Sequence, residues 1–403
     1  MQSRNRVRSI STPLVAAVVI VILVVAAVAG YSLLASSSST TALTSSTSSS
    51  SSSVAPSTAS SSSSTTSSQS SIPVTFALPV ATTINQLDLW TAQNAGFWQQ
   101  QGLKVTFLPF QGAPPEMQAA ASGQVQIGMA PSSSVLLAAS HGVKIKIVAA
   151  LGYQDDWDLI VSNKSSYTSF AQMKGATFGV NAIGAVTDIV LHVLAQRYNF
   201  TIGRDIYEAP VGGFQVELAA LVTNKTQGFF WTADQAELIQ YHGYGRILLD
   251  MSSILPYFDV GTIFASDSLI AQQPNVVTNI IQGEVNSQEY LKANQSFADE
   301  MAANYLGVPN VVAQTLVNDT LNTPSYYLLN GSITPLVTQI MNYQRSLLIQ
   351  LNVSNNLLQV NQIYTMQFVP VSPENTLPSL NILPETYPVI IPADVVELQN
   401  ILW

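Results

Sequence analysis

From Ile72 onward, short apolar runs alternate with stretches whose apolar residues recur at helical spacing. VTFALPV (74–80), KVTFLPF (104–110), VQIGMA (125–130) and KIKIVAAL (144–151) predict strands buried on both faces. LDLWTAQNAGFWQQQ (87–101), PPEMQAAAS (114–122) and SSSVLLAASHG (132–142) predict the helices between them. ATFGVN (176–181), DIYEAPV (205–211), GFFW (228–231) and RILLDM (246–251) repeat the pattern, and beyond about residue 270 helices dominate. Alternation of this kind predicts an α/β fold whose mostly parallel sheets are covered by helices. The two halves echo each other: SSVLLAASHGVKIKIVAAL and QAELIQYHGYGRILLDM both end a helix on His-Gly before a strand. His141 and His242 read most simply as residues near the last carbonyls, with Gly142 and Gly243 as left-handed caps. Two lobes of similar build are expected.

Upstream the pattern changes twice. Residues 1–13 hold Arg4, Arg6 and Arg8 and no acid, and residues 14–35 form an uncharged apolar run. As a helix this run spans about 33 Å, enough for a bilayer core. The basic side then faces the cytoplasm, so the run reads as a membrane anchor with the remainder outside. A cleaved signal is the competing reading, but the run is long for one and lacks a clear A-x-A exit. RSIS at 8–11 resembles the cleavage context of archaeal pilin-like signals, which also leaves the apolar helix on the mature chain. Of residues 36–71, 29 of 36 are Ser or Thr and none is charged, which makes this stretch a tether. Its mean reach as a coil is about 30–35 Å.

Charged residues make up only 9% of the chain against 47% hydrophobic, so Ser, Thr, Asn and Gln must build much of the surface. Such a surface gains little charge as pH falls, which suits an acidic exterior, although compositional drift gives the same numbers. A net charge of −9 with no basic stripe excludes nucleic acid as a partner. The absence of cysteine removes disulfides, thiolate nucleophiles and thiolate metal sites. No H-E-x-x-H, G-x-S-x-G or paired metal-ligand spacing occurs, so no catalytic residue, metal or cofactor is expected.

GFWQQQGLKVTFLPF, AAASGQVQIGMAPSSS, HGVKIKIVAA and MKGATFGVNAIGAVTDIVLHVL, in that order, resemble the solute-binding proteins of ABC importers for nitrate, sulfonate and thiamine precursors. The likeness runs from about Val74 to about Pro370, here in an archaeal-type membrane-anchored form; Gln126 stands where the family has an acid. The resemblance implies the type II periplasmic-binding fold, with a ligand held between two lobes. The chain would cross near Leu159–Ser162 and return near Val260–Phe264. Residues 72–160 would then begin lobe 1, 161–260 form lobe 2, and 261–403 complete lobe 1 with helices and a tail. The implied partners are a small solute and separate permease and ATPase chains, since no Walker sequence is present. Some relatives synthesise the thiamine pyrimidine, but through cysteine- and histidine-containing signatures that this chain lacks.

In open α/β sheets ligands sit at the carboxyl ends of strands, facing helix N-termini. Thr82, Thr83 and Asn85 follow the first strand; Ser132 and Ser133 follow VQIGMA; Gly184, Ala185 and Thr187 follow ATFGVN; Trp231 and Asp234 follow GFFW. GYQDDWD adds Tyr153, Asp155, Asp156 and Trp157 near the crossing. Helix capping, a solvated turn and ordinary core packing are the simpler explanations of the same residues. The loops 79–93, 110–116, 130–135, 152–158, 182–188 and 230–235 contain no Lys or Arg but do contain Asp88, Glu116, Asp155, Asp156, Asp158, Asp188 and Asp234. Acid without base favours a neutral or cationic ring, such as a thiamine-pyrimidine-like compound, over a nitrate, sulfonate or taurine-type anion. Both readings stay open at this point.

Sequons N-x-[ST] stand at Asn163, Asn199, Asn224, Asn294, Asn318, Asn330 and Asn352. Several should carry glycans in native material. Glycopeptide mass spectrometry that found all seven bare would overturn this expectation.

Overall fold

The structure, a computed structural model of the chain, describes residues 71–152, 157–255, 260–322 and 331–369. Residues 1–13, the apolar run 14–35 and nearly all of the tether lie outside the described residues, as do Tyr153, Asp155, Asp156 and Asn330. Among the described residues no helix is long and apolar enough to cross a membrane.

β1 (Ile72–Leu78) is followed by α1 (Leu87–Asn94), α2 (Phe97–Gln100) and β2 (Leu103–Pro109). The sequence pattern predicts one helix over 87–101. Gly96, at φ +77°, takes a left-handed conformation and breaks it in two. α3 (Ala113–Ala121) leads to β3 (Ile127–Pro131), and α4 (Ser132–Ser140) to β4 (Ile145–Gly152). Next come β5 (Trp157–Ser162), β6 (Thr177–Val180), α5 (Val186–Arg197), β7 (Tyr207–Pro210), α6 (Phe214–Val222), β8 (Gly228–Thr232), α7 (Ala233–Tyr241) and β9 (Gly245–Asp250). β10 (Gly261–Ser266) precedes α8 (Asp267–Gln272), α9 (Pro274–Ala293), α10 (Gln295–Leu306), α11 (Asn310–Asn322) and α12 (Pro335–Gln350).

The strands form two five-stranded sheets in the orders β2-β1-β3-β10-β4 and β7-β6-β8-β5-β9. In each, four strands run in one direction, and β10 or β5 alone lies antiparallel between its two neighbours. The sheets are therefore mostly parallel, each with one reversed strand. β4 leaves the first sheet at Gly152, and Leu159–Ser162 is paired in the second sheet, so the chain passes between sheets a few residues ahead of that stretch. A buried apolar run does not by itself say which sheet receives it. The echo between the halves is structural: β1, β2, β3 and β4 occupy the same sheet positions as β6, β7, β8 and β9. Both His-Gly pairs end a helix, with Gly142 and Gly243 at positive φ.

The helices after β10 pack on the first lobe. Trp90 stacks on Tyr305 at 4.5 Å, and α9 lies over Trp98, whose Nε1 donates to Ile280 O at 2.9 Å. A Cβ on Gly283 would fall 2.2 Å from Trp98 Cδ1, so only glycine lets this helix approach the indole. The last described segment returns to the first sheet, where Thr365 N donates to Ile147 O and Ile147 N to Ile363 O. One hydrophobic cluster runs from Ala77 and Val135 in the first lobe to Phe178 and Phe230 in the second.

The interior holds several carboxyl groups. Glu116 and Glu217 sit in the first turns of α3 and α6, fully buried, with no hydrogen-bond partner for either oxygen. Asp88 and Glu284 are buried against each other, and Glu284 accepts from Gln288. Burial is the leading cause that raises Asp88, Glu116, Glu208, Glu217, Asp234, Glu237 and Glu284 above the usual carboxylate range. Two groups go the other way: at Asp188 burial is outweighed by His192 and Gly184, and Arg204 holds Asp205 down.

A carboxyl raised in the folded state stabilises fully below its unfolded pKa, and this contribution is lost as pH rises through the folded value. For Asp188 and Asp205 the sign reverses: their contribution is present above the ordinary value and lost as pH falls. The raised groups dominate, so the melting temperature should decline from about pH 4 upward, through the value of about 6 to which Glu208 is pushed and beyond. Thermal unfolding at pH 4 and pH 7.5 checks this. Glu116→Gln and Glu217→Gln should raise the melting temperature at pH 7.5 and leave it unchanged at pH 4. Gly283→Ala should cost about 1–3 kcal/mol of stability through overpacking against Trp98, measurable by denaturant unfolding.

Candidate functional site

The strand ends of the two lobes meet. After β1, a 3-10 turn at Ile84–Gln86 brings Thr83 against the first turn of α7. Asp234 Oδ2 accepts from Ile84 N at 3.0 Å and Oδ1 accepts from Thr83 Oγ1 at 3.4 Å, tying the second lobe to the first. Asp234 also accepts from Gln235 Nε2 and is buried. Nearby a glycine of each lobe takes a side chain of the other: a Cβ on Gly112 would lie 1.6 Å from Asn181 Oδ1, and one on Gly213 would lie 1.8 Å from Gln111 Oε1. Val80 packs against the second-lobe cluster that contains Trp231. Thr82 and Asn85 are half-buried beside these contacts.

The serines after β3 do not cap their helix. Pro131 holds the N-cap position, Ser132 Oγ donates to Gln344 Oε1 of α12 at 2.6 Å, and Ser132 N donates to Val260 O. Ser133 Oγ is buried without a hydrogen-bond partner. After β6, Asn181 N donates to Thr187 Oγ1 at 2.9 Å and Asn181 Nδ2 to Gly212 O at 3.1 Å, while Asn181 Oδ1 is left without a partner. Gly184, at φ +81°, donates its N–H to Asp188 Oδ2 at 2.7 Å, and Ala185 is the N-cap of α5. Trp231 is only 3% exposed, 5.3 Å from Phe214 and 6.3 Å from Trp157 in an edge-on arrangement. The structure thus brings Thr83 and Asp234 together, and Trp157 and Trp231 together.

Of the sequon asparagines, Asn163, Asn199, Asn224, Asn318 and Asn352 are exposed, whereas Asn294 is half-buried with Nδ2 donating to Tyr290 O. Asn199, Asn224 and Asn352 each follow the last turn of a helix with φ of 55–57°, the left-handed conformation that asparagine tolerates best after glycine.

A second group of side chains escapes sequence reasoning. Asp188 and His192 are one turn apart on α5, and Glu208 projects from the edge strand β7. His192 Nε2 lies 3.4 Å from Asp188 Oδ1 and 3.5 Å from Glu208 Oε2. Both carboxylate oxygens are buried and lack a hydrogen bond of good geometry. Asp188 raises His192 above its ordinary value, while burial and then Asp188 push Glu208 up to about 6. All three line a cavity of about 510 Å³ together with Met117, Ser134, Leu137 and His141 of the first lobe. The Asp-x-x-x-His spacing within α5 was the available signal, but nothing in the sequence ties it to Glu208.

Comparison with known proteins bears on the fold and the family. No curated protein sequence matches the chain. Among solved structures, the alkanesulfonate-binding protein SsuA from Xanthomonas axonopodis pv. citri bound to MOPS is similar over 73% of this chain and 98% of its own. The TM-score is 0.61 and the identity 14%. The periplasmic aliphatic sulphonate-binding protein SsuA from Escherichia coli covers 80% of this chain and 99% of its own, at TM-score 0.57 and 11% identity. The desulfurization enzyme DSZB has the same fold at TM-score 0.53 and 13% identity, covering 74% of this chain and 97% of its own. At these identities the structures establish the periplasmic-binding-protein fold, which carries both solute binding and catalysis. The sequence signature "NMT1/THI5 like" matches residues 83–298, more than half of the 403 residues, so the chain belongs to the NMT1/THI5-like family.

Proposed function

We propose that this chain is the extracellular substrate-binding protein of an ABC importer. It captures a small solute between its lobes and delivers it to a permease and ATPase on separate chains. Residues 14–35 anchor it and 36–71 tether it, leaving the sequon asparagines on the outer side. The observation that supports the reading is Ser133 Oγ, buried and unpartnered in the first turn of the helix that follows a strand end of the first lobe. Such an atom costs about 1–3 kcal/mol unless something bonds to it, and a ligand in the cleft would offset that cost. Asp234, bonded across to Thr83 and Ile84, supplies a latch that favours the closed arrangement.

For the ligand, the reading is a thiamine-pyrimidine-like nitrogen heterocycle. Trp157 provides apolar surface edge-on to the buried Trp231, Ser133 provides a polar group, and the strand-end loops hold acids without Lys or Arg. Tyr153, Asp155 and Asp156, on the segment that joins the lobes, complete the proposed set. The competing ligand is a sulfonate, nitrate or taurine-type anion, supported by the binding proteins of similar fold and by the helix N-termini at Ser132 and Val186. Against it stands the absence of a basic partner, since a buried anion held by helix ends alone is repelled by the nearby carboxylates.

The thermal stability of the chain should rise with the thiamine pyrimidine by about 2.7 kcal/mol at a hundredfold excess over Kd, and stay unchanged with nitrate, sulfate or taurine. Runs at pH 3 and pH 7 separate the effect of carboxylate protonation. A shift with an anion at pH 7 and none with the heterocycle would replace the heterocycle reading by the anion reading.

A further inference from the structure

We propose that Asp188, His192 and Glu208 form a binding site for a divalent transition cation of the Zn²⁺ class, set in the wall of the interlobe cavity. Geometry is the first ground. His192 Nε2 is 3.4 Å from Asp188 Oδ1 and 3.5 Å from Glu208 Oε2, and all three ligand atoms lie within 4.8 Å of one another. Ligands about 2.0–2.1 Å from a tetrahedral ion are separated by roughly 3.3 Å, so two of the three edges need move only a few tenths of an ångström. One nitrogen and two carboxylate oxygens, with a fourth position open, make a donor set that suits Zn²⁺ and its neighbours in the first row.

The second ground is the way Asp188 is held. Its Oδ2 accepts the Gly184 N–H at 2.7 Å, and this support fixes the carboxylate with Oδ1 turned to the cluster. Outer hydrogen bonds of this kind orient ligands in metal sites. Oδ1 itself is buried and has no hydrogen-bond partner in a residue that is 2% exposed. Charge is the third ground. Two carboxylates and a neutral imidazole balance a dication, and no Lys or Arg lines the cavity among the described residues. The ion would fasten α5 to the edge strand β7. The three ligands line the cavity of about 510 Å³ together with Ser134 and His141 of the other lobe, which leaves room for a water or solute at the fourth position. The competing account is a protonated His192 bridging two carboxylates with no affinity for metal.

The test is isothermal titration of the full chain, stripped with chelator, against ZnSO₄, with CoCl₂ absorbance as a spectroscopic readout. One ion per chain is expected, with visible Co²⁺ bands of four- or five-coordinate intensity. His192→Ala and Glu208→Gln should each weaken binding by at least about tenfold. His242→Ala, at an exposed helix end in the second lobe, should leave it unchanged. Circular dichroism confirms that the variants are folded, and Glu208→Gln keeps the proposal testable if His192→Ala is not. No stoichiometric binding, binding indifferent to both ligand variants, or binding abolished by His242→Ala would overturn the site. None of these outcomes depends on which organic solute the cleft takes.

Discussion

Each lobe is completed by a strand that the other lobe must first deliver. β10 hydrogen-bonds on both edges, antiparallel to β3 and to β4, and among the described strands it alone joins β4 to the first sheet. β5 fills the corresponding place between β8 and β9. Because β5 and β10 lie at the two passages between sheets, the backbone that builds each sheet also carries the hinge. A cleft between the lobes follows from this exchange, as does the convergence of Thr83 and Asp234 across it. Buried backbone groups must pair somewhere, and here that requirement sets the architecture.

The chemistry inside this frame is unusual for its acids. A chain with few charged residues still buries Glu116, Glu217, Asp88 and Glu284, and of these Asp88 and Glu284 have side-chain partners, each other and Gln288. Burial of this kind favours the protonated forms, so the interior is stabilised by acid and weakened as the pH rises.

Much of this was legible in the chain. Alternating apolar runs identified strands in both sheets, and the His-Gly echo identified two lobes of one build. Sheet membership was not legible: Leu159–Ser162 and Thr262–Ala265 are equally apolar, and only long-range pairing assigns each to its sheet. The serines after β3 looked like helix caps, yet Ser132 is taken by Gln344, more than two hundred residues away. Asp234 was visible as an acid at a helix start, but its bond to Ile84 N across the lobes was not. Glu208 reaches His192 only because β7 runs beside β6, a pairing that no local pattern encodes.

The second lobe is, in constructional terms, a cassette. Gly152, the last residue of the first sheet before the excursion, is the register partner of Gly261, the first after it. Everything between them leaves and re-enters the first sheet through two adjacent points on antiparallel strands. Two glycines so placed are where a tight two-residue reverse turn would sit had the excursion never been inserted. A single-lobe version of the molecule would close the first sheet with a hairpin at that position. The join is also the natural place to exchange one second lobe for another, grafting a new half-site without disturbing the helices that complete the first.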